Sequence, residues 1–228
     1  MLEKSLRKTQ TALEQTINSY TPEIKAEDTG RIIAISGPVL RADGLAGVTA
    51  EELVQCEDGT LGFVASLNPG VVGIILLGNS AGVRAGMEIK RLHRVVDVPV
   101  GNELLGRIVD ATGCPLDEKG ALPELERRTI EKPAPPIMHR APVSEPLETG
   151  IKVIDTLIPV GKGQRELILG DRQTGKTAIA LDTIINQQDK NVICIYAAIG
   201  QRESAVAKAT QVLQQQGAMS HTVVLVAG

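Results

Sequence analysis

The chain has 228 residues, 43% of them hydrophobic and 22% charged, an ordinary globular composition with room for one or two domains. A formal net charge of −3 and the lack of any long basic run exclude a nucleic-acid surface built on phosphate neutralisation. Cys56, Cys114 and Cys194 are far apart and form no C-x-x-C pair, which fits a reducing compartment and neither a zinc site nor a disulfide framework. No N-terminal stretch has the order of a signal peptide. No apolar run, Val71 to Leu77 included, approaches the ~20 residues that span a bilayer, so the sequence reads as cytosolic and soluble, with any membrane link made through partners. Aromatics are only Tyr20, Phe63 and Tyr196, so a purine ring would find few stacking partners.

In chain order, Leu2, Leu6, Leu13 and Ile17 form a thin apolar stripe that predicts an amphipathic helix to about Ser19, ended by Thr21-Pro22. A frayed, solvated terminus fits the same residues. Between about Gly30 and Val98 the period shortens to β runs punctuated by turns: Arg31 to Ser36, Val39 to Arg41, Leu53 to Glu57, Thr60 to Leu67, Val71 to Leu77 and Met87 to Leu92. Short strands with no helix between them predict a small closed barrel, because closure removes the unpaired edges. Leu104 to Asp110 then leads into a turn-rich stretch. Lys132-Pro133-Ala134-Pro135-Pro136 predicts a stiff, extended strap, since proline fixes φ and restricts the residue before it. His139 and Arg140 read as surface residues of that strap, with no second ligand in register.

Gly170-Asp171-Arg172-Gln173-Thr174-Gly175-Lys176-Thr177 fits G-x-x-x-x-G-K-[ST]. The preceding Glu166 to Leu169 reads as a short buried strand, and Ala178, Ile179, Leu181, Ile184 and Ile185 share one face of a following helix. Strand, glycine loop and helix in that order predict a phosphate cradle: backbone N–H groups turn toward one anion, and the helix N-terminus adds partial positive charge. Lys176 would place its charge on the β- and γ-phosphates of ATP or ADP, and the Thr177 hydroxyl would ligate Mg²⁺. Val192 to Ile199 is apolar enough for a strand buried on both faces, followed by Gly200-Gln201-Arg202-Glu203 at its C-terminal end, where open α/β sheets collect ligands. Ser204 to Gln216 predicts a helix with Ala205, Val206, Ala209, Val212 and Leu213 inward and Gly217 as its stop. Thr222 to Ala227 predicts another buried strand.

The loop sequence, together with Ile158-Pro159-Val160-Gly161-Lys162-Gly163-Gln164-Arg165-Glu166 before it and Thr177 to Gln187 after it, resembles the alpha subunits of F-type ATP synthases. Pro99-Val100-Gly101, Leu105-Gly106-Arg107, Glu145-Pro146-Leu147 and Thr149-Gly150-Ile151-Lys152 resemble the segment leading to the P-loop in that family. Asp171, Arg172 and Gln173 stand where beta subunits typically carry small apolar residues. The resemblance implies an N-terminal small β-barrel (residues 29–98, after the amphipathic helix at 1–28), followed by an incomplete RecA-like P-loop α/β nucleotide-binding domain at 99–228. It also implies Mg-ATP or Mg-ADP bound by Gly170 to Thr177 at a noncatalytic site, because Gln201 occupies the position of the beta-subunit glutamate and an amide cannot take a proton from water in the useful range. Glu203 lies two residues off that position. The expected partners are beta subunits in an alternating hexamer, a central gamma subunit and a delta subunit reached by the N-terminal helix, with the membrane sector touched only indirectly and no nucleic acid. The expected place is peripheral, on the cytoplasmic face of a bacterial plasma membrane or its organellar equivalent, in proton-coupled ATP synthesis. Departures at Ile35-Ser36-Gly37-Pro38-Val39 and Glu57-Asp58-Gly59 leave the subgroup and the coupling ion open. By the same resemblance the chain reads as an N-terminal portion that is inactive alone. A purely structural assembly fragment is one alternative. The other is an independent P-loop ATPase or kinase, which would need an acidic magnesium ligand and an acceptor site beyond the last strand.

Overall fold

The computed structural model describes residues 28–78 and 80–228, so the predicted N-terminal helix lies outside the described residues. Strands β1 (Thr29–Ser36), β2 (Val39–Asp43), β3 (Glu52–Cys56), β4 (Leu61–Asn68), β5 (Val71–Leu77) and β6 (Glu88–Val95) form a closed barrel in the order β1-β2-β5-β4-β3-β6. Alternation sets its inside and outside. Val72, Ile74 and Leu76 of β5 point inward while their neighbours are half-exposed, and Ile32, Leu40, Val54, Val64 and Ile89 complete the core. Glu52 of β3, the charged residue buried in the barrel among the described residues, is gripped by Arg91 of β6.

Beyond the barrel, β7 (Asp97–Val100) pairs antiparallel with β9 (Glu126–Thr129) as a ribbon, and β8 (Ile108–Asp110) lies between them in sequence. Short strands β10 (Pro146–Leu147) and β11 (Val160–Gly161) pair around helix α1 (Lys152–Leu157). Helix α2 (Lys176–Ile185) follows the glycine loop, then β12 (Cys194–Ile199), helix α3 (Glu203–Gln215) and β13 (Thr222–Ala227). Strands β12, β13 and β8 form a parallel sheet with β13 in the centre. Asp117 fixes the entry to β8: it takes Arg107 Nε and NH2 at 2.8 Å and accepts the Ile108 N–H at 3.0 Å.

Two expectations about this sheet are corrected. Glu166 to Leu169 forms no strand; it pairs with nothing among the described residues, and Leu167 and Leu169 are 77% and 81% exposed. The third strand is instead Ile108–Asp110. An apolar run specifies a strand only where a partner edge receives it, and β8 carries the partner edge here. The expected strand from Val192 is also shorter and is buried on one face alone. Tyr196 and Ala198 pack under α2 and α3 with Leu181, Ile184, Val206, Ala209, Leu213 and Val224, whereas Ile195 and Ile199 are exposed on the other face. Helix α3 starts and ends within a residue of the expected bounds, with Gly217 at φ 71° closing it, but Ala205 points to solvent and not inward. Ala178 likewise faces out, while Leu181 and Ile184 carry the α2 core contact.

Candidate phosphate-binding loop

The loop between Leu169 and α2 turns on two left-handed residues, Gln173 at φ 63° and Gly175 at φ 93°. A Cβ at Gly175 would be strained by that φ whatever the surrounding space. Thr174 Oγ1 donates to the Asp171 carbonyl at 2.9 Å and closes the turn from inside. Helix α2 then begins at Lys176 with no side-chain cap and no acidic residue in its first turn. Its first N–H groups therefore lack the capping side chain that most helices use, and the positive end of the dipole meets no local carboxylate.

Lys176 folds across the mouth of this turn. Its Nζ donates to the Gly170 carbonyl at 2.6 Å and to the Asp171 carbonyl. Two of its three donors are thereby used to hold the ammonium in place, and the third remains for an anion lying over the helix end. Thr177 follows one residue into the helix, exposed, and its hydroxyl makes no hydrogen bond among the described residues. An uncapped helix start, a held ammonium and a free hydroxyl fit a magnesium-bound polyphosphate. Asp171, Arg172 and Gln173 lie exposed on the outside of the turn.

Gln201 is also exposed, two residues beyond the end of β12, after Gly200 at φ 61°. The Gly200 N–H donates to the Ala227 carbonyl at 2.7 Å, which ties this corner to the end of β13. Tyr196 Oη reaches Gln201 Oε1 at 3.5 Å, a long contact. No hydrogen bond joins Gln201 to the glycine loop. Glu203 opens α3 behind Arg202. His139 and Arg140 are exposed on the strap as expected, Arg140 Nε donating to the Pro135 carbonyl at 3.2 Å.

The sequence reading missed how α2 is anchored at its far end. Asp155 of α1 accepts the Thr149 hydroxyl at 2.7 Å, the Thr149 N–H and the Gly150 N–H, and those bonds, the hydroxyl's foremost, hold its carboxyl below the usual range. Onto the corner so formed, Asn186 Nδ2 donates to the Thr149 carbonyl at 3.1 Å, and buried Gln187 donates to the Glu148 carbonyl at 2.8 Å. A side chain at Gly150, where φ is 79°, would collide with the Asn186 amide. His221 meets the Ile184 carbonyl at 3.0 Å from the other side. The helix that carries Lys176 and Thr177 is thus clamped between the strap and the approach to β13. A buried glutamine at a helix C-terminus was the available signal.

Comparison with known proteins agrees with this architecture. Residues 32–93 match the ATP synthase alpha/beta family, beta-barrel domain, and residues 150–228 match the ATP synthase alpha/beta family, nucleotide-binding domain. Over 226 residues the chain is 50% identical to ATP synthase subunit alpha 1 of Shewanella frigidimarina, aligned over 99% of this chain and 44% of that protein. The chain therefore spans less than half the length of that relative.

Proposed function

We propose that this chain, which belongs to the ATP synthase alpha/beta family, holds a magnesium-bound adenine nucleotide at Gly170 to Thr177 without hydrolysing it, as an alpha-type component of a rotary ATP synthase. The observation that carries the reading is the state of Lys176, held by the loop's own carbonyls over an uncapped helix end. The Thr177 hydroxyl would hold magnesium, whose charge would offset that of the phosphates. Lys176 would bind the β- and γ-phosphates, and the α2 N–H groups would take the remaining oxygens.

Hydrolysis needs a group that positions and deprotonates water, and the amide at Gln201 cannot accept that proton. The relative's name supports a place in the ATP synthase, and half identity along nearly the whole chain supports the alpha type over the beta type. On this reading the closed barrel packs beside barrels of beta subunits in an alternating ring, gamma occupies the centre, and the segment at 1–28 meets delta. The assembly sits peripherally on the cytoplasmic face of the membrane and serves proton-coupled synthesis.

Incubation of the chain with γ-labelled Mg-ATP, followed by rapid desalting, tests the reading. Nucleotide recovered with the protein is expected as intact ATP. Recovery as ADP with phosphate release that disappears in Lys176→Ala would overturn it.

A further inference from the structure

The loop from β2 to β3 and the turn from β4 to β5 form a groove of about 480 Å³, in which Leu45, Val48, Leu67, Val71 and Val72 stand among glycines and Asn68. Every lining residue belongs to a barrel strand or to a loop that joins two of them. None is charged, and Leu67 is 49% exposed. Such a wall gains from an apolar cover and offers an ion nothing to pair with.

The chain enters the barrel at the rim of this groove. Arg91 NH1 donates to Asp28 Oδ2 at 3.0 Å and to the carbonyl of Ala46, a lining residue, at 2.8 Å, so one nitrogen bridges the two. The start of β1 lies equally close: a Cβ added at Gly30 would stand 2.7 Å from Leu45 Cγ. Residues 20–27, outside the described residues, lead directly into Asp28. Their sequence alternates without a break: Tyr20, Pro22, Ile24 and Ala26 are apolar or aromatic, and Thr21, Glu23, Lys25 and Glu27 are polar. A period of two is the pattern of an extended segment with one face covered, and Pro22 turns Thr21 away from the helical region. Ile24 lies four residues before Asp28, at most about 14 Å of extended chain, which is enough to reach the groove.

We propose that residues 20–27 lie extended across this groove and form its cover. Ile24 fills it against Leu67 and Val71, while Glu23, Lys25 and Glu27 face water. Seated in this way, the segment fixes the point from which residues 1–19 leave the barrel. The seat is independent of the glycine loop and of any nucleotide there.

Thiol labelling of the 228-residue chain carrying Asn68→Cys tests the proposal, because position 68 lines the groove without supplying its apolar surface, and exposed Cys114 gives an internal reference rate. Ile24→Asp should speed labelling at position 68 about tenfold, since it puts a charge where an aliphatic side chain is buried. Lys25→Asp, on the polar face, should leave the rate unchanged. Hydrogen exchange across residues 44–48 and 67–72, compared between the parent and Ile24→Asp with Asn68 intact, reads the same cover if Asn68→Cys does not fold. Equal rates with and without Ile24→Asp, or the same acceleration by Lys25→Asp, would overturn the proposal. So would a labelling rate that falls as the concentration of the Asn68→Cys chain rises, because a second copy would then be the cover.

Discussion

Arg91 Nε and NH2 hold the two carboxylate oxygens of Glu52 at 2.8 and 3.0 Å across the β3–β6 pair, with Glu52 only 3% exposed. The same guanidinium spans to Asp28 and to the Ala46 carbonyl through NH1, so one side chain ties the start of β1, a barrel loop and β3 together. Arg91's hydrogen bonds hold the Glu52 carboxyl down to about 2, against an ordinary 4.5. At the entry to β8, Arg107 likewise holds Asp117 at about 2, against 3.8.

Both groups are depressed in the folded state, so their contribution is fully present above about pH 4.5 and is lost as pH falls toward 2. At about 1.4 kcal/mol per unit, Glu52 contributes up to roughly 3 kcal/mol at neutral pH. Denaturant midpoints measured from pH 7 to pH 3 should fall most steeply below pH 5, and Glu52→Gln should flatten that fall while lowering the midpoint at pH 7. A variant with the parent's acid profile would remove the strut from the account.

Arg91→Ala is the harsher change, because it leaves a buried carboxylate without its partner. Such losses cost about 3–5 kcal/mol. Hydrogen exchange should show faster opening of β3 and β6 with α2 and α3 unaffected; uniform loosening of both regions, or no change, would contradict a strut local to the barrel.

The uncovered face of the parallel sheet carries a third prediction. Ile193, Ile195 and Ile199 are exposed, and a groove of about 320 Å³ runs beside them along Val223 and Leu225. Parallel strands ordinarily have both faces covered, and each large aliphatic side chain left wet forgoes roughly 1.5–3 kcal/mol. Amides of β12 should therefore exchange faster than those of β5, and sedimentation should show association rising with concentration and reduced by Ile195→Lys. A monomeric sample with equal protection in the two strands would refute this.

Much of the architecture was legible in the sequence because it is local. The barrel strands follow from alternation and from turns such as Gly37-Pro38 and Pro69-Gly70, and its closure from the lack of any intervening helix. The turn into α2 was legible because it is set within eight consecutive residues, Gly170 to Thr177. Pairing was not. Leu167 to Leu169 and Ile108-Val109 are both short and apolar, and nothing within either run says which one finds an edge to join. The clamp on α2 was hidden for a related reason: Thr149, Asp155 and Gln187 meet only after the strap folds back on the helix.

Gly175→Ala probes the loop without touching a polar group. At φ 93° an alanine is strained by about 1–2 kcal/mol or more, and the turn that presents Lys176 relaxes at the expense of the cradle. Nucleotide affinity should drop about tenfold while the barrel's unfolding midpoint stays within error of the parent; unchanged affinity would show that the turn is not the binding element.

The most direct measurement is a calorimetric titration of the chain with Mg-ATP beside Lys176→Ala and Thr177→Ala, each checked for fold by circular dichroism. Lys176 Nζ stands over the helix end and the Thr177 hydroxyl is free, so the account predicts saturable binding by the parent and a loss of about tenfold or more in each variant. Binding of equal strength in parent and folded variants, or no binding by a folded parent, would contradict the assignment of Gly170 to Thr177 as the nucleotide site.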